Sequence, residues 1–290
     1  MSKQDPAEHP ESQGKGSECA PLDRRDFLSK SLPGPLVLLA VLQAGQTAGC
    51  RAGDPEPPQT EMAGTEDVQQ PTAAAETAES TGYKASEHNY AMAVDPERCL
   101  GCGRCVEACK TENDVPREPF YFRTWIERYV IQSDGETVVT SPDGGISGFP
   151  KVEESEIVRT FFVPKLCNHC ANPPCVQVCP VGATFVTEDG VVLVDEDYCI
   201  GCRYCIHGCP YGARFMNPVT HTADKCTFCY HRLVKGLLPA CVEACPAKAR
   251  IFGDHDDPNS EISILIKKER GQVLNPEFGN EPKVYYLFPR

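Results

Sequence analysis

Sixteen of the eighteen cysteines fall between Cys99 and Cys245, in four groups of four. They are Cys99, Cys102, Cys105 and Cys109; Cys167, Cys170, Cys175 and Cys179; Cys199, Cys202, Cys205 and Cys209; and Cys226, Cys229, Cys241 and Cys245. The first and third groups read C-x2-C-x2-C-x3-C. Three thiols spaced by two residues share one tight loop, where they can wrap three corners of a cubane iron-sulfur cluster while backbone N–H groups turn toward the sulfurs. The fourth cysteine follows three residues later, as the chain leaves on a helix pointing away, so it serves a neighbouring cluster. One such motif therefore implies a paired one.

The second and fourth groups are altered versions, with four residues between Cys170 and Cys175 and eleven between Cys229 and Cys241. Loop closure grows costlier only slowly with length, so both can still close on a cluster, with Tyr230 to Ala240 expected to bulge outward. Zinc is the main metal alternative, because two C-x2-C pairs can make a zinc ribbon. A ribbon, however, does not call for four cysteines within eleven residues, an arrangement that occurs twice. Disulfides are the other alternative, and overlapping triplets on one loop make poor disulfide geometry. Iron-sulfur chemistry is the reading that uses the whole pattern.

These loops must be carried by short elements. Ala91 to Asp95 reads as a strand entering the first loop, with structure expected to begin near Tyr90. The group ends repeat one phrase: Cys179-Pro-Val-Gly-Ala-Thr-Phe, Cys209-Pro-Tyr-Gly-Ala-Arg-Phe and Cys245-Pro-Ala-Lys-Ala-Arg-Ile-Phe. Such self-similarity argues for duplicated units. Phe185 to Thr187 and Val191 to Val194 flank Asp189-Gly190, a hairpin leading into Cys199. The first group departs from the phrase and leads into an insertion, residues 110–166. There Phe120 to Ile131, Val138 to Thr140 and Ile157 to Val163 are rich in strand formers, and Asp134-Gly135 and Asp143-Gly144-Gly145 supply turns, which predicts a small antiparallel sheet. Trp125, the only tryptophan, belongs to a core or an interface. Ser260 to Glu269 reads as a short amphipathic helix, and Lys283 to Phe288 as an aromatic strand or arm that docks on a partner.

Residues 1–22 are polar and without periodicity, so Cys19 is incidental and disorder is expected. Arg24-Arg25, followed by Phe27, Leu28 and Lys30 and an apolar run from Leu36 to Leu42, resembles a twin-arginine export signal, whose route carries folded proteins across the bacterial inner membrane. That route resolves a conflict, because cysteines exported unfolded into an oxidising periplasm would form disulfides. Thr47-Ala-Gly-Cys50 resembles a lipobox, with threonine where an aliphatic residue is usual. A lipid on Cys50 would add about 0.8 kcal/mol per buried CH2 to membrane attachment; ordinary cleavage near Ala48 would leave Cys50 without a role. The domain organisation is thus a signal over 1–50, a disordered linker over 51–87 rich in Pro, Ala, Glu and Thr, and a cysteine-bearing domain over 88–290 that ends in a C-terminal arm, 253–290. Of the net charge of −13, −6 falls in the linker, so the acidity is solvation and does not mark a cationic partner. Nothing points to nucleic acid.

Beyond the cysteines, the chain carries Cys167-Asn-His-Cys-Ala-Asn-Pro-Pro-Cys175, Lys225-Cys-Thr-Phe-Cys-Tyr-His-Arg232, Pro239-Ala-Cys-Val-Glu-Ala-Cys-Pro246 and Ile251-Phe-Gly-Asp254. In these stretches it resembles the four-cluster iron-sulfur subunits of membrane-associated molybdopterin oxidoreductases, such as polysulfide, tetrathionate and dimethyl sulfoxide reductases and formate dehydrogenase. It is also similar to the exported ferredoxin-like subunit of the membrane complex linked to dissimilatory sulfite reduction. The resemblance covers residues 90 to 290 and implies an α+β fold of two bacterial-ferredoxin-like modules, each with two 4Fe-4S clusters, plus the inserted antiparallel sheet. It implies one cluster on Cys99, Cys102, Cys105 and Cys245 and its neighbour on Cys226, Cys229, Cys241 and Cys109. The second module would use Cys167, Cys170, Cys175 and Cys209, then Cys199, Cys202, Cys205 and Cys179. The partners implied are a multispanning quinone-reactive membrane subunit and a catalytic molybdopterin or cytochrome subunit.

Every cluster would have a full set of cysteines, so no iron corner is open for substrate and four 4Fe-4S centres are expected. Electron transfer, not catalysis, is what such a chain can do. No nucleotide loop, catalytic triad or pterin-binding segment is present. The leading expectation is an exported electron-transfer subunit of the periplasm, held at the membrane through partners or a lipid on Cys50; the alternative is a stand-alone periplasmic ferredoxin. His169, His207, His221 and His231 lie near the cysteines and read as surface or packing residues, with potential tuning as the sharper alternative.

Overall fold

The computed structural model describes residues 82–118, 121–153 and 157–288. The twin-arginine stretch, Cys19, Cys50 and the linker up to residue 81 lie outside the described residues. Tyr83, within the stretch read as linker, already packs: its ring stacks on His88 and its hydroxyl donates to Asp189 Oδ2 at 2.5 Å.

Strand β1 (Tyr90–Val94) leads into the first cysteine loop and is followed by helix α1 (Arg104–Glu112). The insertion supplies β2 (Thr124–Gln132), β3 (Thr137–Thr140) and β4 (Ile157–Leu166), and β4 runs straight into Cys167. Next come α2 (Pro174–Gln177), the hairpin β5 (Thr184–Val186) and β6 (Val192–Val194), and α3 (Tyr204–His207). A second hairpin, β7 (Arg214–Met216) and β8 (Ala223–Lys225), precedes α4 (Tyr230–Leu233) and α5 (Ala240–Glu243). The described chain closes with β9 (Arg250–Asp254), α6 (Glu261–Glu269) and β10 (Val284–Tyr286).

The repeated phrase becomes repeated structure: β5, β7 and β9 each begin five residues after the cysteine that opens it, at Thr184, Arg214 and Arg250. The hairpin expected around Asp189-Gly190 is β5–β6, paired antiparallel with Phe185 opposite Leu193. The β7–β8 hairpin was not anticipated, because Asn217 to Thr222 lacks the Asn-Gly or Asp-Gly signal.

The insertion forms the expected antiparallel sheet, in the order β3-β2-β4. Thr124, Ile126 and Val130 of β2 are buried, and Gly135 makes the β2–β3 turn at a φ of 87°. Burying each of the two aliphatic side chains contributes about 1.5–3 kcal/mol. This sheet therefore has an apolar face of its own with which to pack.

A second three-stranded sheet has the order β10-β1-β9, with β1 in the middle. Ala91 to Val94 are wholly buried, because β1 has partners on both sides and cover on both faces. Met92 and Val94 face the main core, whereas Ala91 and Ala93 pack with Ile251, Ile262 and Leu287 under α6. Ser260 caps α6, its side chain accepting from Ser263 N.

Two expectations are narrowed by the packing. Of the two readings of Lys283 to Phe288, strand or docking arm, the strand holds, and it pairs within the chain: β10 runs parallel to β1, Val284 and Tyr286 are buried, and the Tyr286 hydroxyl donates to Pro164 O at 3.1 Å. The aromatic character that invited a partner is spent within the chain. Nor does Tyr230 to Ala240 bulge outward as a whole, since Tyr230, Leu233, Val234 and Ala240 are buried, while His231 and the tip from Lys235 to Leu238 are exposed. A helical turn at the start, α4, folds those apolar residues back. Tyr286→Ala is expected to cost about 3–5 kcal/mol in chemical denaturation of the cluster-loaded protein, whereas Tyr286→Phe, which loses only the hydrogen bond, costs about 1 kcal/mol.

Candidate metal centre

The first and third cysteine loops are built alike. Asp95 Oδ1 accepts from the N–H groups of Glu97 and Arg98 at 3.0 and 3.2 Å, and Asp195 Oδ1 from those of Asp197 and Tyr198 at 3.0 and 3.3 Å. Each aspartate thus bends the chain into a turn just before Cys99 or Cys199. Leu100 and Ile200, one residue into each motif, are both 65% exposed, so the loops turn this apolar residue outward, while Cys105 and Cys205 are buried and Cys102 and Cys202 lie at the surface. Helices α1 and α3 then start from residues at positive φ, Gly103 at 72° and Arg203 at 68°. The glycine has a local reason: a Cβ on Gly103 would lie 2.7 Å from the carbonyl oxygen of Gly145, part of the insertion packed on this loop.

Three cavities are each lined by four cysteines. The first has Cys99, Cys102, Cys105 and Cys245; the second has Cys109, Cys226, Cys229 and Cys241; the third has Cys167, Cys170, Cys175 and Cys209. The spaces at these sets are alike in size, about 320, 280 and 310 Å³, and each is partly open to solvent. In each, one cysteine arrives from a distant group. Of the remaining four, Cys199 and Cys205 share a packed cluster with Cys175, Cys202 is exposed, and Cys179 follows α2, which packs on α3. No described contact joins Cys179 directly to the other three.

The sets follow one another through the interior. Cys241 lies close to Cys105 of the first set, and Cys226 close to Cys167 of the third. Burial pushes the thiols up, Cys99 and Cys241 to about 11 and Cys170 to about 12, and it also raises Cys109 and Cys226. Cys179 goes the other way: burial opposes it, but the backbone N–H groups of Thr184, Val181, Ala183 and Gly182 surround its sulfur and lower it. Further N–H donors reach Cys199 from Ala223 at 3.4 Å, Cys226 from Phe228 at 3.4 Å and Cys245 from Ala249 at 3.2 Å. Donors placed this way favour thiolate over thiol.

Side chains that the cysteine pattern did not reveal complete the site. Arg250 Nη2 donates to Cys105 Sγ at 3.4 Å and to Thr124 Oγ1 at 2.7 Å, and its Nη1 reaches Cys241 Sγ at 3.8 Å. Arg214 donates to Cys175 Sγ at 2.9 Å and to Thr184 Oγ1 at 3.3 Å. Lys225 is buried and donates to the carbonyls of Val192 and Cys226. Asn113 Nδ2 lies 3.6 Å from both Cys109 Sγ and Cys229 Sγ, and it is positioned by Arg123, which pairs with Asp224. One signal for the arginines was in view: in two of the three repeated phrases an arginine stands five residues after the cysteine.

The histidines divide. His207 and His221 are exposed, and His231 pairs with Glu112 at 2.8 Å on the surface. His169 is fully buried and stacks on Phe228 with ring centroids 3.7 Å apart, while its Nδ1 accepts from Val192 N. Burial, with Lys225, Lys283 and Arg214 nearby, drives its basicity well down, so it packs as a neutral ring. Trp125 is half-buried, and its indole N–H donates to Glu127 at 2.8 Å within the inserted sheet.

The donor set fits iron-sulfur clusters. Among the described residues no three His, Cys, Asp or Glu side chains converge as tightly as a single metal ion requires; the thiols instead surround cavities, and a cube of iron and sulfide holds its thiolates farther apart than one ion does. In the third cavity the amide of Asn168 is buried and has no partner among the described residues, a donor left for whatever fills the space.

Family models match at a 4Fe-4S dicluster domain over residues 158–255 and a 4Fe-4S binding domain over residues 90–111. Among similar proteins, a tetrathionate reductase subunit of Salmonella typhimurium is 48% identical over 202 residues, covering 69% of this chain and 72% of the relative. A sulfite dehydrogenase subunit of Allochromatium vinosum is 43% identical over 68% of this chain and 82% of the relative. The arsenate respiratory reductase iron-sulfur subunit of a Shewanella species is 34% identical over 68% of this chain and 94% of the relative.

Because cavities join distant groups, Cys102→Ser and Cys245→Ser are expected to perturb the same electron paramagnetic resonance signal, and Cys109→Ser and Cys241→Ser a different one. A common signal for Cys102 and Cys109 would reject this partition. Burial raises the thiols of Cys99, Cys109, Cys170, Cys175, Cys209, Cys226 and Cys241, so binding a cluster through them releases protons. A chelator should therefore strip the iron faster as pH falls, measured as loss of visible absorbance.

Proposed function

The chain belongs to the ferredoxin-like 4Fe-4S subunits of oxidoreductases, and on that premise we propose that it is an exported electron-transfer subunit with four clusters, not a catalyst. It relays electrons between a multispanning quinone-reactive membrane subunit and a redox partner, either a molybdopterin catalytic subunit or a cytochrome. The observation that carries this is the succession of cysteine sets through the interior, with a surface cysteine, Cys102 or Cys202, in each terminal set.

The residues that would hold the clusters are Cys99, Cys102, Cys105 and Cys245; Cys109, Cys226, Cys229 and Cys241; Cys167, Cys170, Cys175 and Cys209; and Cys179, Cys199, Cys202 and Cys205. The two modules of the fold are then the first two sets and the last two. Bound clusters would supply one-electron transfer at potentials set by hydrogen bonding, charge and exposure. The chain's own part is to fix the thiols, to turn N–H donors on them and to keep water from the inner two sets, whose cysteines are all buried except half-buried Cys209. With every corner held by a cysteine, no iron is left for a substrate.

A partner is supported by the relatives, which are named as subunits. Among the described residues no helix is long and apolar enough to cross a membrane, so attachment falls to a partner or to a lipid on Cys50. Export rests on Arg24-Arg25 and the apolar run after it.

Two measurements test the proposal. Anaerobically purified protein is expected to contain about sixteen irons and sixteen sulfides with little zinc; about twelve irons would mean a misassigned set. A variant with Arg24→Lys and Arg25→Lys is expected to keep its iron but remain in the cytoplasm, and unchanged export would reject the twin-arginine route.

A further inference from the structure

Three cations in the core, Arg250, Lys225 and Arg214, are almost fully buried; the two arginines touch sulfur, and the lysine donates to the carbonyl of a cysteine. Their places are not scattered. Arg250 bridges Cys105 of the first set and Cys241 of the second. Lys225 donates to the carbonyl of Cys226 of the second set and to that of Val192, which lines the cavity of the third. Arg214 donates to Cys175 of the third set, which packs in one cluster with Cys205 of the fourth. Four sets leave three gaps, and every gap holds one buried cation.

The two arginines occupy equivalent positions in the duplicated sequence, five residues after Cys245 and five after Cys209, at the first residue of β9 and of β7. Each is held by a strand-opening threonine: Thr124, first in β2, accepts from Arg250, and Thr184, first in β5, accepts from Arg214. Thr184 itself stands at the equivalent position of the remaining repeat, five residues after Cys179. One device therefore occurs twice, and in the first module the inserted sheet supplies its threonine. Lys225 fills the gap between modules by a different route, held by the carbonyls of Val192 and Cys226.

From this placement we infer that Arg250, Lys225 and Arg214 are potential-setting residues, each offsetting the repulsion between the two clusters it separates. Adding an electron to one of two adjacent anionic centres raises the energy of adding another to its neighbour, and in a low-dielectric interior that penalty is poorly screened. A fixed cation in the gap stabilises the reduced form of both neighbours and lets adjacent centres hold electrons together. A guanidinium suits this role because it stays charged and its fork reaches two sulfurs at once. The inference rests on the four-cluster proposal above.

The test is a redox titration of the anaerobically purified full chain, read by electron paramagnetic resonance, with iron and sulfide measured on every sample. Arg250→Gln is expected to keep the parent iron content while lowering the midpoints of two couples by at least tenfold in the reduction equilibrium, about 59 mV each for a one-electron step. The other two couples stay in place. Arg214→Gln should lower the two couples that Arg250→Gln leaves in place, and Arg250→Lys and Arg214→Lys should restore midpoints near the parent. The inference is overturned if the glutamine variants keep their clusters with midpoints unmoved, if all four couples move together, or if both variants lose iron, since the arginines would then hold the fold. Fewer than four clusters in the parent protein would instead overturn the four-cluster proposal, and the couples that remain beside the substituted arginine would still decide the inference.

Discussion

The burial of negative charge is the condition to which the rest of this molecule answers. Thiolates gathered inside a protein are costly unless donors and counter-charges meet them. Here the loops turn N–H groups toward Cys179, Cys199, Cys226 and Cys245, and cationic side chains reach Cys105, Cys175 and Cys241. The dependence runs both ways. A guanidinium as buried as that of Arg250 would be untenable in an apolar core, and Cys105 and Cys241 hold it firmly charged against the cost of burial. Sulfur and cation make each other's burial tolerable.

Duplication explains how so many matched parts arose from so little sequence. Asp95 and Asp195 make the same turn, Leu100 and Ile200 are exposed alike, and Arg250 and Arg214 open equivalent strands. The copies part where the insertion intervenes. It covers the first loop, which is why Gly103 stands where the other copy has Arg203, and it brings Thr124 to Arg250. The inserted sheet therefore supplies part of the surroundings of Cys105 and Cys241 as well as a cover over the first loop.

Much of this was legible from residue types and spacing. The cysteine groups, the hairpin at Asp189-Gly190, the strands of the insertion and the helix after Ser260 all carry local signals, and local signals are what sequence spacing records. What escaped depends on distant parts of the chain. The parallel pairing of Val284 with Met92 joins segments almost two hundred residues apart, so the aromatic stretch around Tyr286 read as strand or docking arm when it was core. The inward turn of Tyr230 and Leu233 was hidden by the length of the loop that contains them. Lys225 was hidden for another reason, and the recurrence of Arg214 and Arg250 five residues after a cysteine marked them only as repeated: a basic residue is ordinarily at the surface, and nothing in its type announces that buried sulfur will surround it.

The central position of β1 has a consequence for the order in which the protein is made. Its neighbours are β9 and β10, so Met92 and Val94, among the first residues of the domain to leave the ribosome, stay without their partners until residue 286 has been synthesised. The cavity that begins with Cys99 likewise waits for Cys245. The cysteines of the third cavity, by contrast, are all present once Cys209 has been made, so the sets are completed in a different order from that in which they begin.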